Sequence, residues 1–305
     1  MTEGSRRAVI AAFLANLGIA IAKFLAFLAT GAVTMLAETV HSVADTANQA
    51  LLFLGAARAR REPTPEHPFG YGRERYFWSF VVALVLFSLG SLFAISQGID
   101  KLNHPHSVES PGWAIGVLCV AMLLEGSSLR VAVREANRVR RGESWWVFVR
   151  RAKTPELPVV LLEDLGALLG LLFALAALGL SIAFDEPRFD ALGTIAIGTL
   201  LGVIAIVLAS EMKSLLIGEA ASARDLAAIR AAIEASPHFR RLIHLRTLHI
   251  GPEELLVGAK LELDPDLDFA AVAGAIDTIE ANVRGRVPAA RVIYIEPDIQ
   301  RETAG

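Results

Sequence analysis

The sequence predicts an all-α six-helix transmembrane bundle followed by a small α+β cytoplasmic domain. The composition is the first observation, because 54% of the 305 residues are hydrophobic and the mean hydropathy is +0.49, values that soluble domains rarely reach. The second is a series of apolar runs long enough to cross a bilayer. The third is a change after about Glu219 to mixed charged and apolar sequence. We therefore expect residues 1–217 to form the transmembrane domain and residues 218–305 the soluble domain.

Six apolar runs are candidates for membrane spans. Each is long enough for a helix to cross the hydrocarbon core, which takes about 20 residues. An even number of spans returns the chain to the side on which it started. The runs are Ala8–Leu28, Thr34–Ala57, Phe77–Ile99, Gly112–Val133, Leu157–Phe184 and Phe189–Leu208.

Basic residues orient these spans. The opposite connections hold mainly Lys101 and Arg188, so the positive-inside rule places both termini in the cytoplasm. We expect the first span to be retained, because it is long and has no clear cleavage site. A chain rich in Gly, Ala and Arg with no transit-like leader favours the bacterial inner membrane. The basic residues on the inner side are Arg6, Arg7, Arg58, Arg60, Arg61, Arg73, Arg75, Arg138, Arg140, Arg141, Arg150, Arg151 and Lys153.

The C-terminal segment has the order helix, strand, strand, helix, strand. Helical periodicity alternates there with short β-type runs, and a turn at Gly251-Pro252 separates the first two strands. This α-β-β-α-β order suits a two-layer, ferredoxin-like sandwich. The predicted elements are Ala223–Ala235, Leu242–Ile250, Leu255–Leu263, Phe269–Val283 and Arg291–Glu296.

Charge and cysteine content exclude several classes of protein. The formal net charge of −3 gives no indication of nucleic-acid binding. Cys119 is the one cysteine, so the chain has neither an intrachain disulfide framework nor a Cys-rich zinc site.

The most informative residues are His41 and Asp45 in the second span. They are four residues apart, and helical geometry places both on one face. Ionisable groups inside a membrane are costly, so they usually face a bundle interior and mark an ion or proton path. A His with a carboxylate is also half of a site for a divalent transition metal. The alternative is a buried histidine bonded to a neighbouring aspartate.

Glu163 and Asp164 in the fifth span supply a second acidic group. With His41 and Asp45, Asp164 gives one nitrogen and at least two oxygens, close to the ligand set of zinc, manganese, iron or cobalt. Adjacent side chains diverge by roughly 100° on a helix, so we expect Asp164 to face the cavity. Glu163 is then a supporting residue, an entry residue or a snorkelling charge.

Other polar residues in the spans are weaker candidates. Glu38 and Asn48 lie on the second span, and Asn16 lies on the first. Glu125 either lines the path or forms a structural pair with Lys23, and we favour the pair. Small residues at close-packing spacing indicate where helices approach each other: Gly166, Gly170, Gly198 and Gly202.

Several segments together resemble the cation diffusion facilitator family. The resemblance rests on the six spans, the His41/Asp45 pair and the terminal α-β-β-α-β order, and it covers nearly the whole chain. Three further segments are similar to the branch that contains the mitochondrial zinc transporter. The segments are His67–Arg75 (HPFGYGRER) and Leu102–His106 (LNHPH) for the family, and Tyr76–Trp78 (YFW), Leu124–Gly126 (LEG) with Arg134–Asn137 (REAN), and Leu161–Asp164 (LLED) for the branch.

The resemblance implies a secondary active transporter rather than an enzyme. It implies a homodimer that exports a divalent metal, usually zinc, from the cytoplasm in exchange for protons, with no resident cofactor. Metal and protons would compete for His41, Asp45 and Asp164, since these ligands bind metal in their deprotonated forms.

The chain departs from the family pattern at three positions. Val160 stands where many members have a His or Asp ligand, so Glu163, Asn48, a backbone carbonyl or water must complete the site. His67 is kept, but Tyr71 replaces a second loop histidine, and Ala259 replaces a histidine of the terminal domain. We expect His67 to have a turn or packing role rather than to bind metal.

Three competing functions stay open at this point. The first is a membrane-anchored metal sensor or adaptor that binds metal without flux. The second is a transporter of another cation, such as an organic one. The third, an intramembrane hydrolase, is disfavoured because the chain lacks both His-Glu-x2-His and Gly-x-Ser-x-Gly.

Overall fold

Long helices occupy all six predicted spans. The computed structural model describes residues 3–30, 33–105, 111–140 and 142–299. A π-helical segment, Leu86–Leu92, joins α3 to α4, so that these elements form one continuous helical stretch. A short helix, α6, follows the fourth predicted span and was not predicted. The helices are α1 Glu3–Thr30, α2 Val33–Arg58, α3 Glu74–Val85, α4 Phe93–Asn103, α5 Pro111–Arg140, α6 Trp145–Arg151, α7 Glu156–Phe184 and α8 Arg188–Ile217.

Within the described residues, four helical stretches are long and apolar enough to cross a membrane. These are Glu74–Asn103, Ala114–Arg140, Glu156–Phe184 and Arg188–Ile217. Helix α1 contains a shorter apolar stretch, Val9–Ala22. Helix α2 carries the predicted polar residues. The chain is therefore a multi-pass helical membrane protein, and the count of six spans stays a prediction.

The described chain divides into two compact units. The first comprises Met1–Ala59 and Glu74–Lys213, and the second comprises Arg60–Arg73 and Ser214–Gly305. The core of the first unit is aliphatic and takes side chains from α2, α3, α5, α7 and α8, among them Leu52 and Val160.

Small residues permit close helix approach in the first unit, as the sequence predicted. A Cβ atom at Gly166 would lie 2.7 Å from Cδ1 of Ile204, so α7 and α8 touch at this position. A Cβ atom at Gly198 would lie 2.8 Å from the backbone nitrogen of Ile95, which brings α8 against α4. Substitution of Gly198 would push α8 and α4 apart, whereas a side chain at Gly166 would have to displace the end of the Ile204 side chain.

The second unit has the predicted α-β-β-α-β order. Strand β1 pairs antiparallel with β2, and β2 pairs parallel with β3, giving a three-stranded sheet in the order β1-β2-β3. Side chains along β2 alternate between buried and half-buried, as expected when one sheet face packs on helices. Ser222 and Asp268 cap the two helices by accepting hydrogen bonds from Asp225 N and Ala271 N. The elements are α9 Ala223–Glu234, β1 Phe239–Gly251, β2 Glu254–Leu263, α10 Phe269–Arg286 and β3 Ala290–Pro297.

The loop between α2 and α3 belongs to this second unit. Its residue Gly72 packs against the turn that joins β1 to β2. A Cβ atom at Gly72 would lie 2.8 Å from the carbonyl oxygen of Ile250 and 2.9 Å from Cα of Gly251, so only glycine fits without displacing the backbone. Residues 60–73 are therefore part of the second unit, although α2 and α3 flank them in sequence.

Candidate functional site

Helix α7 holds two adjacent buried carboxylates. Glu163 is 6% exposed and Asp164 is 1% exposed. Glu163 accepts hydrogen bonds from Asn48 Nδ2 (2.9 Å) and Gln49 Nε2 (3.0 Å), both on α2. Asp164 accepts one from Ser128 Oγ (2.7 Å) on α5. Each carboxylate therefore faces a different neighbouring helix.

This geometry modifies the expectation from the sequence. The two side chains diverge as their adjacency on a helix requires. Glu163 and Asp164 both face the interior, because α2 and α5 each give one of the two carboxylates a buried partner. Glu163 is not a snorkelling charge, since both of its oxygens accept hydrogen bonds inside the bundle.

A short chain of amide groups positions Glu163. Asn16 on α1 donates from Nδ2 to Oε1 of Gln49 at 3.3 Å, and Gln49 in turn donates to Glu163. Helices α1, α2 and α7 are thereby tied through neutral polar groups. Oδ1 of Asn48 is buried and accepts no hydrogen bond from the described part of the chain, so this oxygen has a lone pair to offer a cation.

Two further carboxylates lie close to this pair. Asp45 on α2 is near enough to act electrostatically on both Glu163 and Asp164, and buried Glu125 on α5 acts on Glu163. We call Asp45, Glu125, Glu163 and Asp164 the carboxylate cluster. The hydrogen bonds recorded for Glu163 and Asp164 come from neutral donors. Binding a cation or protons at Glu163 and Asp164 would relieve the repulsion between these two adjacent acids.

Some of the other predicted ligands lie outside the described side chains. His41 and Glu38 lie on α2, but their side chains are outside the described ones, as is that of Lys23. Among the described residues, no group of three or more His, Cys, Asp or Glu side chains is arranged to hold a metal ion. The metal-ligand set therefore stays a prediction. Val160 is fully buried in the aliphatic core and offers no ligand atom.

His67 lies in the loop 60–73 of the second unit. Its side chain is exposed, and its ring centroid lies 4.7 Å from that of Tyr71. The backbone nitrogen of His67 donates to the carbonyl oxygen of Thr64 at 3.0 Å, and Thr64 Oγ1 lies 3.2 Å from the Tyr71 hydroxyl. These contacts fit the expected turn and packing role.

Sequence reasoning missed Gln49 and Ser128 as partners of the cluster. Gln49 directly follows Asn48 in the polar part of α2. Ser128 is three residues after Glu125, which places both on one face of α5. This helical spacing is the signal that could have identified Ser128.

Sequence reasoning also missed a buried ion pair between the first turns of α3 and α7. The Arg75 guanidinium donates through Nε to Oε1 of Glu156 and through Nη2 to Oε2 at 2.9 Å. Arg75 is 5% exposed and Glu156 is fully buried. In the sequence, Arg75 belongs to the basic residues assigned to the inner side.

A multi-pass helical protein with buried acids within its apolar helices belongs to the class of membrane proteins that handle cations. Residues 9–217 match the cation efflux transmembrane domain. The chain belongs to the cation efflux family, the cation diffusion facilitators.

Curated relatives support the branch expected from the sequence. The chain is 33% identical over 264 residues to the proton-coupled zinc antiporter SLC30A9, mitochondrial, of Xenopus laevis, a match covering 86% of this chain and 47% of the relative. It is 32% identical over 267 residues to metal tolerance protein C4 of Arabidopsis thaliana, covering 86% and 58%. It is 26% identical over 287 residues to the cation-efflux pump FieF of Klebsiella pneumoniae, covering 94% and 90%. The chain thus spans about half the length of the first two relatives.

Proposed function

We propose that this protein exports a divalent metal cation, with zinc as the preferred substrate, in exchange for protons. The observation that carries the proposal is the carboxylate cluster, which brings acids from α2, α5 and α7 together inside a cation efflux domain. The names of two relatives, a proton-coupled zinc antiporter and a cation-efflux pump, support the same activity.

The proposed substrate site consists of His41, Asp45 and Asp164, with Glu163 as a further ligand. An imidazole nitrogen with carboxylate oxygens suits zinc, and also manganese, ferrous iron or cobalt. Oδ1 of Asn48 is a candidate for the ligand that Val160 does not supply, because it is buried beside Glu163 and accepts no hydrogen bond from the described residues.

Proton exchange follows from the chemistry of these ligands. Metal binding requires deprotonated carboxylates and a neutral imidazole, so metal entering from the cytoplasm displaces protons. Protons arriving from the other side then favour metal release. Asn48 and Gln49 hold Glu163 in position, and Ser128 holds Asp164. These donors are neutral and do not themselves compete with a cation. Alternating access requires that the two states differ in metal affinity, since equal affinity shifts neither.

The assembly and membrane are part of the proposal. We place both termini in the cytoplasm and residues 218–305 in a cytoplasmic domain, in agreement with the positive-inside rule. The soluble domains of two copies would hold a homodimer together in a bacterial inner membrane. The ferredoxin-like arrangement of this domain agrees with its strand order, β1-β2-β3, and with one parallel pair.

The test is metal flux into liposomes that contain purified full-length protein and a fluorescent metal reporter. Zinc, manganese, ferrous iron and cobalt are compared with and without an imposed pH gradient. The site variants are Asp164→Asn and His41→Ala/Asp45→Ala. The matched control is Asp190→Asn, which makes the same substitution where the acid pairs with Lys101 at 3.0 Å.

The proposal predicts zinc flux that depends on the pH gradient, persists in Asp190→Asn and is lost in both site variants. Full flux in the site variants would show that the substrate site is elsewhere. Binding by a folded dimer without flux of any metal would favour the sensor or adaptor. Flux of another cation alone would reject the metal as substrate.

A further inference from the structure

The connection between α5 and α7 encloses a cavity of about 210 Å³. Three cationic side chains line it, Arg140, Arg151 and Lys153, together with one carboxylate, Glu143. Val139 and buried Phe148 supply an apolar wall. All of these residues belong to the helical unit. A cavity with cations on one side and hydrocarbon on the other fits an amphipathic anion.

Arg140 is held in place at this cavity. Its Nε donates to Asn137 Oδ1 at 2.6 Å, and its Nη1 donates to the backbone oxygen of Glu143 at 2.6 Å. The guanidinium lies over the ring of Trp145, 4.3 Å from the centroid. These contacts fix the side chain without neutralising it, since none of them involves a carboxylate.

Arg151 supplies a second, more accessible guanidinium. Its side chain is exposed, and within the described part of the chain no carboxylate forms an ion pair with it. Its neighbour Arg150 differs, because Nε of Arg150 donates to Glu211 at 3.1 Å and its guanidinium lies over Trp146. The two adjacent arginines on α6 thus have different roles, and only Arg151 lines the cavity.

Two features of the flanking helices indicate that the cavity lies at the level of the lipid phosphates. Helix α5 is an apolar span that ends at Arg140, and the next apolar span begins at Glu156. Helix α6 between them exposes 39% of Trp145 and 58% of Trp146, and aromatic rings of this kind are enriched at the level of lipid headgroups. Basic cavities at this depth on the cytoplasmic side are suited to anionic headgroups.

We propose that this cavity binds the phosphodiester headgroup of an anionic phospholipid. The guanidinium groups of Arg140 and Arg151 donate to phosphate oxygens, an arrangement that suits their planar, forked geometry. Lys153 adds a third cation at the rim, and Val139 with Phe148 contacts the glycerol and the first acyl carbons. The site is separate from the carboxylate cluster and does not depend on the proposed transport.

The experiment measures lipid binding to purified full-length protein in neutral detergent. Phosphatidylglycerol is titrated against phosphatidylcholine, glycerol 3-phosphate and inorganic phosphate, with retained lipid counted by native mass spectrometry and melting temperature as a second readout. The test variant is Arg151→Ala. Arg150→Ala is the matched control, since it removes the same charge from the same helix outside the cavity.

We expect wild type and Arg150→Ala to bind phosphatidylglycerol alike, and Arg151→Ala to bind it about tenfold more weakly, the loss expected for one charge-assisted hydrogen bond. Arg151→Ala/Lys153→Ala would weaken binding further. If Arg151→Ala melts early without lipid, Arg151→Lys replaces it, because it keeps the charge and loses the fork. Equal losses in the two alanine variants, equal binding of phosphatidylcholine, or equal binding of either free phosphate would overturn the proposal.

Discussion

Glu156 and Glu163 lie on the same helix, about two turns apart, and both are buried. At Glu156 both oxygens accept hydrogen bonds from the Arg75 guanidinium, so the negative charge is matched inside the protein. At Glu163 the partners are the neutral amides of Asn48 and Gln49, and the other members of the carboxylate cluster surround it. Because the guanidinium occupies both oxygens, Glu156 has no free carboxylate oxygen to bind a metal ion. The neutral donors leave the Glu163 carboxylate open to a cation or to protons.

We expect Glu156→Ala to have the largest effect on the stability of the fold. The substitution leaves the Arg75 guanidinium buried without its counter-ion, which costs about 3–5 kcal/mol. Thermal unfolding of detergent-solubilised protein should show a large loss. The matched control is Glu211→Ala, which leaves behind Arg150, a side chain 58% exposed that water can solvate, so it should cost much less than Glu156→Ala. Similar melting temperatures for the two variants would mean that the Arg75–Glu156 pair is not a stabilising element.

Asp164→Asn should have the opposite profile. It removes one negative charge from a cluster of like charges, and Ser128 keeps an oxygen to donate to. We therefore expect a melting temperature at or above that of wild type, with zinc flux reduced by more than the roughly hundredfold limit for loss of a merely orienting group, because the proposed site loses a direct ligand. Flux into liposomes and thermal unfolding of the same preparation measure both effects. A variant that loses stability and keeps its flux would reverse the roles assigned to the two regions of α7.

Ser128→Ala should have a smaller effect on transport. Ser128 orients Asp164 through one hydrogen bond of 2.7 Å, and loss of a partner that orients a metal ligand typically weakens metal binding about tenfold or somewhat more. Zinc flux at limiting zinc should fall, and saturating zinc should restore it. Ser127→Ala is the control, since Ser127 is exposed and its hydroxyl donates to the backbone oxygen of Leu124. Equal behaviour of the two variants would remove Ser128 from the site.

The sequence predicted the six helical segments and the order of the soluble domain, because hydropathy and periodicity are local properties. It also predicted which spans carry the acids, since each ionisable residue stands out against an apolar background. The pairing of Arg75 with Glu156 could not be predicted, because it joins residues 81 positions apart and Arg75 lies in a basic stretch. The grouping of loop 60–73 with the second unit involves the close fit of Gly72 against Gly251, which no local pattern encodes.

A carboxylate of the second unit, Asp264, gives a further contrast with Glu156. Asp264 has a matched charge, as Glu156 does, but it lies at the surface: its Oδ1 accepts from Arg240 Nε at 2.8 Å, and its Oδ2 lies 3.2 Å from His238 Nδ1. Hydrogen bonds from Arg240 and then His238 lower the pKa of Asp264 below its ordinary value. A carboxyl group whose pKa is lower in the folded state stabilises the fold above its unfolded pKa, and this contribution is lost as pH falls through the folded pKa.

Asp264→Asn should therefore lower the melting temperature at neutral pH, by less than any change above because solvent screens an exposed pair. The difference from wild type should narrow as pH falls below about 4, where the unfolded-state carboxyl is protonated. Asp277→Asn is the control, an exposed acid with no ion pair recorded among the described residues, and it should shift the melting temperature little at any pH. A difference for Asp264→Asn that stays constant down to pH 3 would show that the hydrogen-bond geometry of Asp264, and not its charge, stabilises this corner of the domain.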